Sequence, residues 1–180
     1  MRDVYNVKGI LLLHRLLIIL FFATLTLLNI CSCKGEKQQP GLKIAPDFAL
    51  MDPDSVLHSL GAIKGEVIML HFWADWCPHC RQEFSELQAA YDSLSGPDFD
   101  LVAINSGQTR DIVDGIRNVY NLTFLMLMDA DKKVTDNYNV TGLPTTFFIG
   151  PNRKVLQQSI GWLKKENVFD LYTRIRTRMD

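Results

Sequence analysis

The stretch VIMLHFWADWCPHCRQEFSELQAAYDSL, residues 67–94, constrains the fold of this chain more than any other. It opens with a nearly continuous apolar run rich in β-formers, the pattern of a central strand buried on both faces. It ends with Phe84, Leu87, Tyr91 and Leu94 at helical spacing, and Gly96-Pro97 stop that helix. Cys77 and Cys80 fall at the junction. Cys77 is therefore placed at a helix N-terminus, where unpaired N–H groups and the positive end of the helix dipole favour thiolate over thiol. The thiolate is the nucleophile in disulfide exchange, and two intervening residues let Cys80 reach back across one turn. Pro78 suits the first helical turn, where a missing N–H costs nothing. His79 can add positive charge or a hydrogen bond. Trp76, Pro78 and His79 are thus the candidate tuning residues around a candidate catalytic pair, Cys77 and Cys80.

Two blander readings compete with a redox pair. A zinc site needs four ligands, and His58, His71 and His79 have no ligand spacing to the one cysteine pair, so no metal is expected. A structural disulfide across so few residues would constrain little chain and add little stability. The other two cysteines, Cys31 and Cys33, lie near the start, and none follows Cys80, so the chain is not a disulfide scaffold. With a formal net charge of −1 and 22% charged residues, it carries no basic excess that would suggest nucleic acid.

Downstream, FDLVAIN (99–105) reads as a strand and TRDIVDGIRNVY (109–120) as a helix. Thr109 is the expected N-cap of that helix, and Ile112, Val113, Ile116 and Val119 its apolar face. TFLMLMD (123–129) is a third strand, and its methionines Met126 and Met128 read as core rather than metal ligands. DKKVTDNY (131–138) is a short helix. TTFFIG (145–150), a turn at PNRK and VLQQSIG (155–161) form a hairpin, and KENVFDLYTRIRTRM (165–179) is a closing amphipathic helix. Ahead of the central strand, residues 45–65 have a strand-like start and a turn at Asp52-Pro53-Asp54, with His58 expected at the surface. This order implies an α/β fold with a mixed sheet and helices on both faces.

The N-terminus reads as an export segment. Its clean apolar run, Leu16 to Leu28, is short for a transmembrane helix and suits a signal-peptide core. In NICSC, Ser32 precedes Cys33 as in a bacterial lipobox, which makes Cys33 the candidate lipidation site. An uncleaved anchor and free export are the alternatives. Residues 1–33 are therefore assigned to a signal or anchor, 34–43 to a polar tether and 44–180 to one domain. All three readings place that domain outside the cytoplasm, in a bacterial cell envelope.

FWADWCPHC followed by GLPTTFFI (142–149) resembles the thioredoxin superfamily. Within it the chain is similar to the TlpA/ResA-like group of membrane-tethered extracytoplasmic thiol–disulfide oxidoreductases. APDFAL, GEVIMLHFWADWC, CRQE, LVAIN and the run FLMLMDADKKVTDNYNVTGLPTTFFIGPNRKV carry the likeness over nearly the whole domain. The resemblance implies a thioredoxin-like fold with an N-terminal strand or hairpin extension. It makes Pro144 a cis-proline facing the cysteines, with Leu143 offering its backbone to an extended substrate. The redox-active disulfide would serve with no further cofactor. The partners implied are protein thiols or disulfides and a membrane electron donor or acceptor, in a reaction such as the disulfide reduction of cytochrome c maturation.

Three positions depart from that pattern. Pro78-His79 between the cysteines resembles DsbA-like oxidants, and the potentials span roughly −270 mV for thioredoxin to about −120 mV for DsbA. The buried acids usual beneath the pair look absent: His71 stands where thioredoxin has Asp, and Gln108 where ResA-like proteins have Glu. His71 is read first as a satisfied core histidine and second as a base for Cys80. Ser85 stands near where the family has a helix-kinking proline. The expected activity is reduction of protein disulfides, with a DsbA-like oxidant as the alternative and a metal-binding thioredoxin-fold chaperone as the alternative from another class. A peroxiredoxin-type peroxidase shares the APDF opening but needs a Pro-x-x-x-Thr-x-x-Cys loop, which the sequence around Cys77 lacks.

Overall fold

The computed structural model describes residues 43–179, together with the single residue Arg15. The leader, Cys33 and nearly all of the tether lie outside the described residues. Among those described, no helix is long and apolar enough to cross a membrane. The strands are β1 (Ala49–Met51), β2 (Leu57–Ser59), β3 (Val67–Trp73), β4 (Phe99–Ser106), β5 (Leu125–Asp129), β6 (Thr145–Ile149) and β7 (Val155–Ile160). The helices are α1 (Pro78–Leu94), α2 (Arg110–Tyr120), α3 (Lys133–Asn137) and α4 (Lys165–Met179).

The seven described strands form one mixed sheet in the order β2-β1-β5-β4-β3-β6-β7. β3 runs parallel to β4 and antiparallel to β6, and all of its residues are buried, as its unbroken apolar run requires. Strand alternation divides it between two cores. Val67, Met69 and Trp73 join Phe84, Leu87 and Ala90 of α1, Val113 and Ile116 of α2, and Val168 and Ile175 of α4. Ile68, Leu70 and Phe72 join Phe48, Leu60, Val134 and Tyr138 on the opposite face. Helices thus cover both faces, and the architecture is thioredoxin-like with a β1–β2 hairpin added at one edge.

Several details differ from the sequence expectation. On α2, Val113 and Ile116 are buried, but Ile112 and Val119 are exposed, at 38% and 73%. Ile112 and Val119 lie seven residues apart on one line of the helix, and that line faces outward. Thr109 occupies the N-cap position of α2, but its hydroxyl makes no capping bond. Lys43, read as tether, already belongs to the domain: its carbonyl accepts from Val155 N–H at 3.1 Å, while Ala45 N–H donates to the Arg153 carbonyl at 2.8 Å.

Asp129, at the end of β5, is fully buried. Its carboxylate accepts from Val134 N–H at 3.2 Å, Thr135 N–H at 2.7 Å and the Thr135 hydroxyl at 2.7 Å. It thereby satisfies N–H groups that the first turn of α3 cannot pair internally.

His58 is not a free surface residue. It is half-buried, with Nε2 2.8 Å from Asp52 Oδ2, while Asp52 Oδ1 accepts from Val56 N–H at 2.9 Å, closing the β1–β2 hairpin. Burial works to raise the Asp52 carboxyl, but the Val56 N–H and the His58 hydrogen bond and charge outweigh it and hold Asp52 below its ordinary 3.8. A carboxyl lowered on folding stabilises the protein above its unfolded value, and that contribution is lost as pH falls through the folded value. Asp52→Asn is therefore expected to destabilise the domain at neutral pH, with the deficit closing below pH 3.8. Denaturant titrations across that range check this; a deficit independent of pH would count against the pairing.

Candidate active site

The chain leaves β3 at Trp73, turns, and enters α1 through Cys77. Cys77 is the N-cap, and its sulfur accepts from Cys80 N–H at 3.2 Å. Pro78 takes the first helical position, as its missing N–H and fixed φ predict. Cys77 and Cys80 are joined as a disulfide, with their Cα atoms 5.3 Å apart. Cys77 is 4% exposed and Cys80 0%. Of the two cysteines, Cys77 alone keeps any exposure, and Cys80 is wholly enclosed.

The peptide bond between Leu143 and Pro144 is cis, at the entrance to β6. Pairing of Phe72 with Thr145 brings the start of β6 beside the end of β3, so Pro144 lies at the same end of the sheet as the cysteines. The Pro144 carbonyl accepts from Gly161 N–H at 2.8 Å, drawing in the segment that follows β7. That segment carries Trp162, which the sequence reading had passed over. Trp162 is 44% exposed, Ile160 58% and Trp76 65%. His79 is also exposed, so water screens its charge.

Gln108 does not stand beneath the pair as an acid. Its side-chain carbonyl accepts from Asp75 N–H at 2.6 Å and from Asn105 Nδ2 at 2.8 Å, bracing the turn before Cys77 against the end of β4. The buried acid that looked absent is present, supplied by α1. Glu83 is 0% exposed, one turn after Cys80 on the same helix face. Its Oε2 accepts from Leu163 N–H at 2.9 Å, and Oε1 lies 3.1 Å from His71 Nε2. His71 is also fully buried, and its Nδ1 lies 2.9 Å from the Thr146 hydroxyl on β6. The signal was present in the sequence: Glu83 interrupts the buried stripe Cys80, Phe84, Leu87, where an apolar residue is the rule. Ser85, where the family has proline, is exposed, and α1 runs unbroken through it. Among the described residues no group of His, Cys, Asp and Glu could hold a metal ion.

A disulfide-bonded Cys-x-x-Cys pair at a helix N-terminus, at the same end of a thioredoxin-like sheet as a cis-proline, defines a thiol–disulfide oxidoreductase. The chain belongs to the AhpC/TSA family, which it matches over residues 42–158, and to that family's ResA-like thiol–disulfide oxidoreductases. It is 32% identical over 132 residues to the thiol-disulfide oxidoreductase ResA of Bacillus subtilis, covering 73% of this chain and 74% of that one. With ResA of Geobacillus kaustophilus it shares 33% over 124 residues, 69% and 71% of the two chains. Among solved structures, a thiol:disulfide interchange protein DsbE of Chlorobium tepidum superposes with a TM-score of 0.63 at 30% identity, covering 74% of this chain and 95% of that one. StoA of Bacillus subtilis shares the fold, with a TM-score of 0.63 at 24% identity over 73% of this chain and 99% of that one.

Proposed function

We propose that the chain is an extracytoplasmic, membrane-tethered reductant of protein disulfides. Cys77 as thiolate attacks a substrate disulfide and forms a mixed disulfide; Cys80 then attacks the Cys77 sulfur and releases the reduced substrate. Leu143 and Pro144 meet the substrate backbone, and the exposed Trp76, Ile160 and Trp162 surround that approach. The leader and tether hold the domain at the outer face of a membrane, with Cys33 as the lipid attachment point. A membrane dithiol restores the pair, and an oxidised cysteine pair such as that of an apocytochrome c is the substrate class.

The observation that carries the direction is Glu83. A buried carboxylate one turn from Cys80 opposes a second negative charge on the sulfurs. That disfavours the reduced, thiolate-bearing state relative to the disulfide, which makes the pair a better electron donor. Pro78-His79 pulls the other way, but the exposed imidazole has less leverage than a carboxylate buried in the same helix. The test is the reduction potential of the Cys77–Cys80 pair, by equilibration with glutathione or dithiothreitol. We expect a value well below about −200 mV, and one near about −120 mV would make the protein an oxidant.

A further inference from the structure

The turn that carries Cys77 is held from the neighbouring strand by one side chain. Gln108 follows the end of β4, and its Oε1 accepts from Asp75 N–H at 2.6 Å and from Asn105 Nδ2 at 2.8 Å. Its own N–H donates to Asn105 Oδ1 at 3.0 Å. Both amide orientations are fixed, because a backbone N–H can only donate: Asp75 N–H sets Oε1 of Gln108, and Gln108 N–H sets Oδ1 of Asn105. Asn105 is fully buried and pairs in register with Trp73, so the brace reaches back to the last residue of β3. Gln108 is supported in turn. Gly107 N–H donates to the Asp129 carbonyl at 2.9 Å, and Gly107, with φ +83°, leaves the space that the Lys132 stem fills.

We infer that Gln108 is a positioning residue for attack by Cys77: an uncharged amide fixes the Asp75–Cys77 turn without placing a negative charge beside the thiolate. The reading of Cys77 as the attacking cysteine underlies this role. Gln108 acts through the backbone, at Asp75 N–H. Inside the turn Cys77 N–H donates to the Ala74 carbonyl at 3.2 Å. Displacing Asp75 therefore displaces the frame from which the sulfur and the exposed Trp76 project. A carboxylate at position 108 would accept the same two hydrogen bonds and hold the turn as well. What it would add is charge, and a like charge nearby disfavours the thiolate that attacks. Holding and charging are thus separable at this one position.

Other charges face the turn. Asp75 lies within it, with Arg81 Nη1 3.9 Å from its carboxylate. From α1 come His79, Cys80 and Glu83, and from β3 comes His71. α2 begins with Arg110, which bonds the Ser55 hydroxyl, and Asp111. Lys132 comes from the loop after β5 and Lys164 from the segment after β7, while Leu143 to Thr145 carry no titratable side chain. All of these stay in place when position 108 alone is altered.

The experiment compares Gln108→Glu and Gln108→Leu in the reduced full chain. Alkylation by iodoacetamide across pH, with the modified cysteine located by mass spectrometry, reports the Cys77 thiolate. Single-turnover reduction of insulin reports the positioned attack. Gln108→Glu keeps the brace, so its thermal midpoint should match the wild type. Its alkylation profile should move up by about one pH unit, a loss of about tenfold on the acid side. Above both midpoints it should reduce insulin at the wild-type rate. Gln108→Leu lacks the acceptor: its alkylation midpoint should stay in place while insulin reduction falls about tenfold at every pH. An unmoved Gln108→Glu profile, a Gln108→Glu deficit that persists above both midpoints, or full activity in Gln108→Leu overturns the role. If Gln108→Leu does not fold by circular dichroism, Gln108→Glu decides alone by the first two outcomes. Labelling of Cys80 in place of Cys77 sinks the cysteine assignment instead, whatever position 108 does.

Discussion

Cys77→Ser is expected to abolish disulfide exchange, with a loss of roughly ten-thousand-fold or more, because the chain then lacks its attacking thiolate. Cys80→Ser is expected to behave differently. Its Cys77 still attacks, but the mixed disulfide has no internal resolving thiol and accumulates. The contrast follows from burial: Cys77 keeps a little exposure and Cys80 has none. Non-reducing electrophoresis of each variant with a disulfide-bearing protein separates the outcomes. The assignment predicts a substrate adduct with Cys80→Ser and none with Cys77→Ser; the reverse pattern would exchange the two roles.

Asp129→Ala is expected to cost the largest stability increment of any single polar substitution outside the cysteines. The carboxylate accepts from two backbone N–H groups and a hydroxyl, all at zero exposure of the acceptor. Its removal leaves buried donors unsatisfied, at about 1–3 kcal/mol for each group that water cannot reach. A net loss of about 3 kcal/mol, or a fall of roughly 10 °C in Tm, is the expected reading by denaturant and thermal unfolding. Asp129→Asn should recover part of it, since the amide oxygen keeps one acceptor. A loss under about 1 kcal/mol would mean that water satisfies the first turn of α3.

The two residues beneath the cysteines show where sequence reasoning stopped. His71 is legible as a polar side chain inside an apolar strand, and the sequence admits two readings of it, core histidine or base. Glu83 was not singled out, because a glutamate in a helix is ordinarily solvent-facing. Its burial follows from helical phase: Cys80, Phe84 and Leu87 define the inward stripe, and position 83 falls within it. The family resemblance places that acid on the strand or shortly after the next one, where this chain has His71 and Gln108. This chain supplies it from the helix above.

By itself the sequence determined the strand–cysteine–helix junction, the alternation of strands and helices, and a turn at Gly142-Leu143-Pro144, whose cis-proline role came only from the family resemblance. Each of these depends on short-range pattern: an apolar run, a 3.6-residue period or a Gly-x-Pro turn. Only the tertiary structure decided which face of α2 turns inward, that His58 closes a hairpin on Asp52, and that His71 and Glu83 meet at 3.1 Å. Those outcomes depend on how strand register and helix phase bring together residues far apart or out of line in the chain. The period of a helix is written in its sequence, but the side its neighbours cover is set only when the sheet and helices pack.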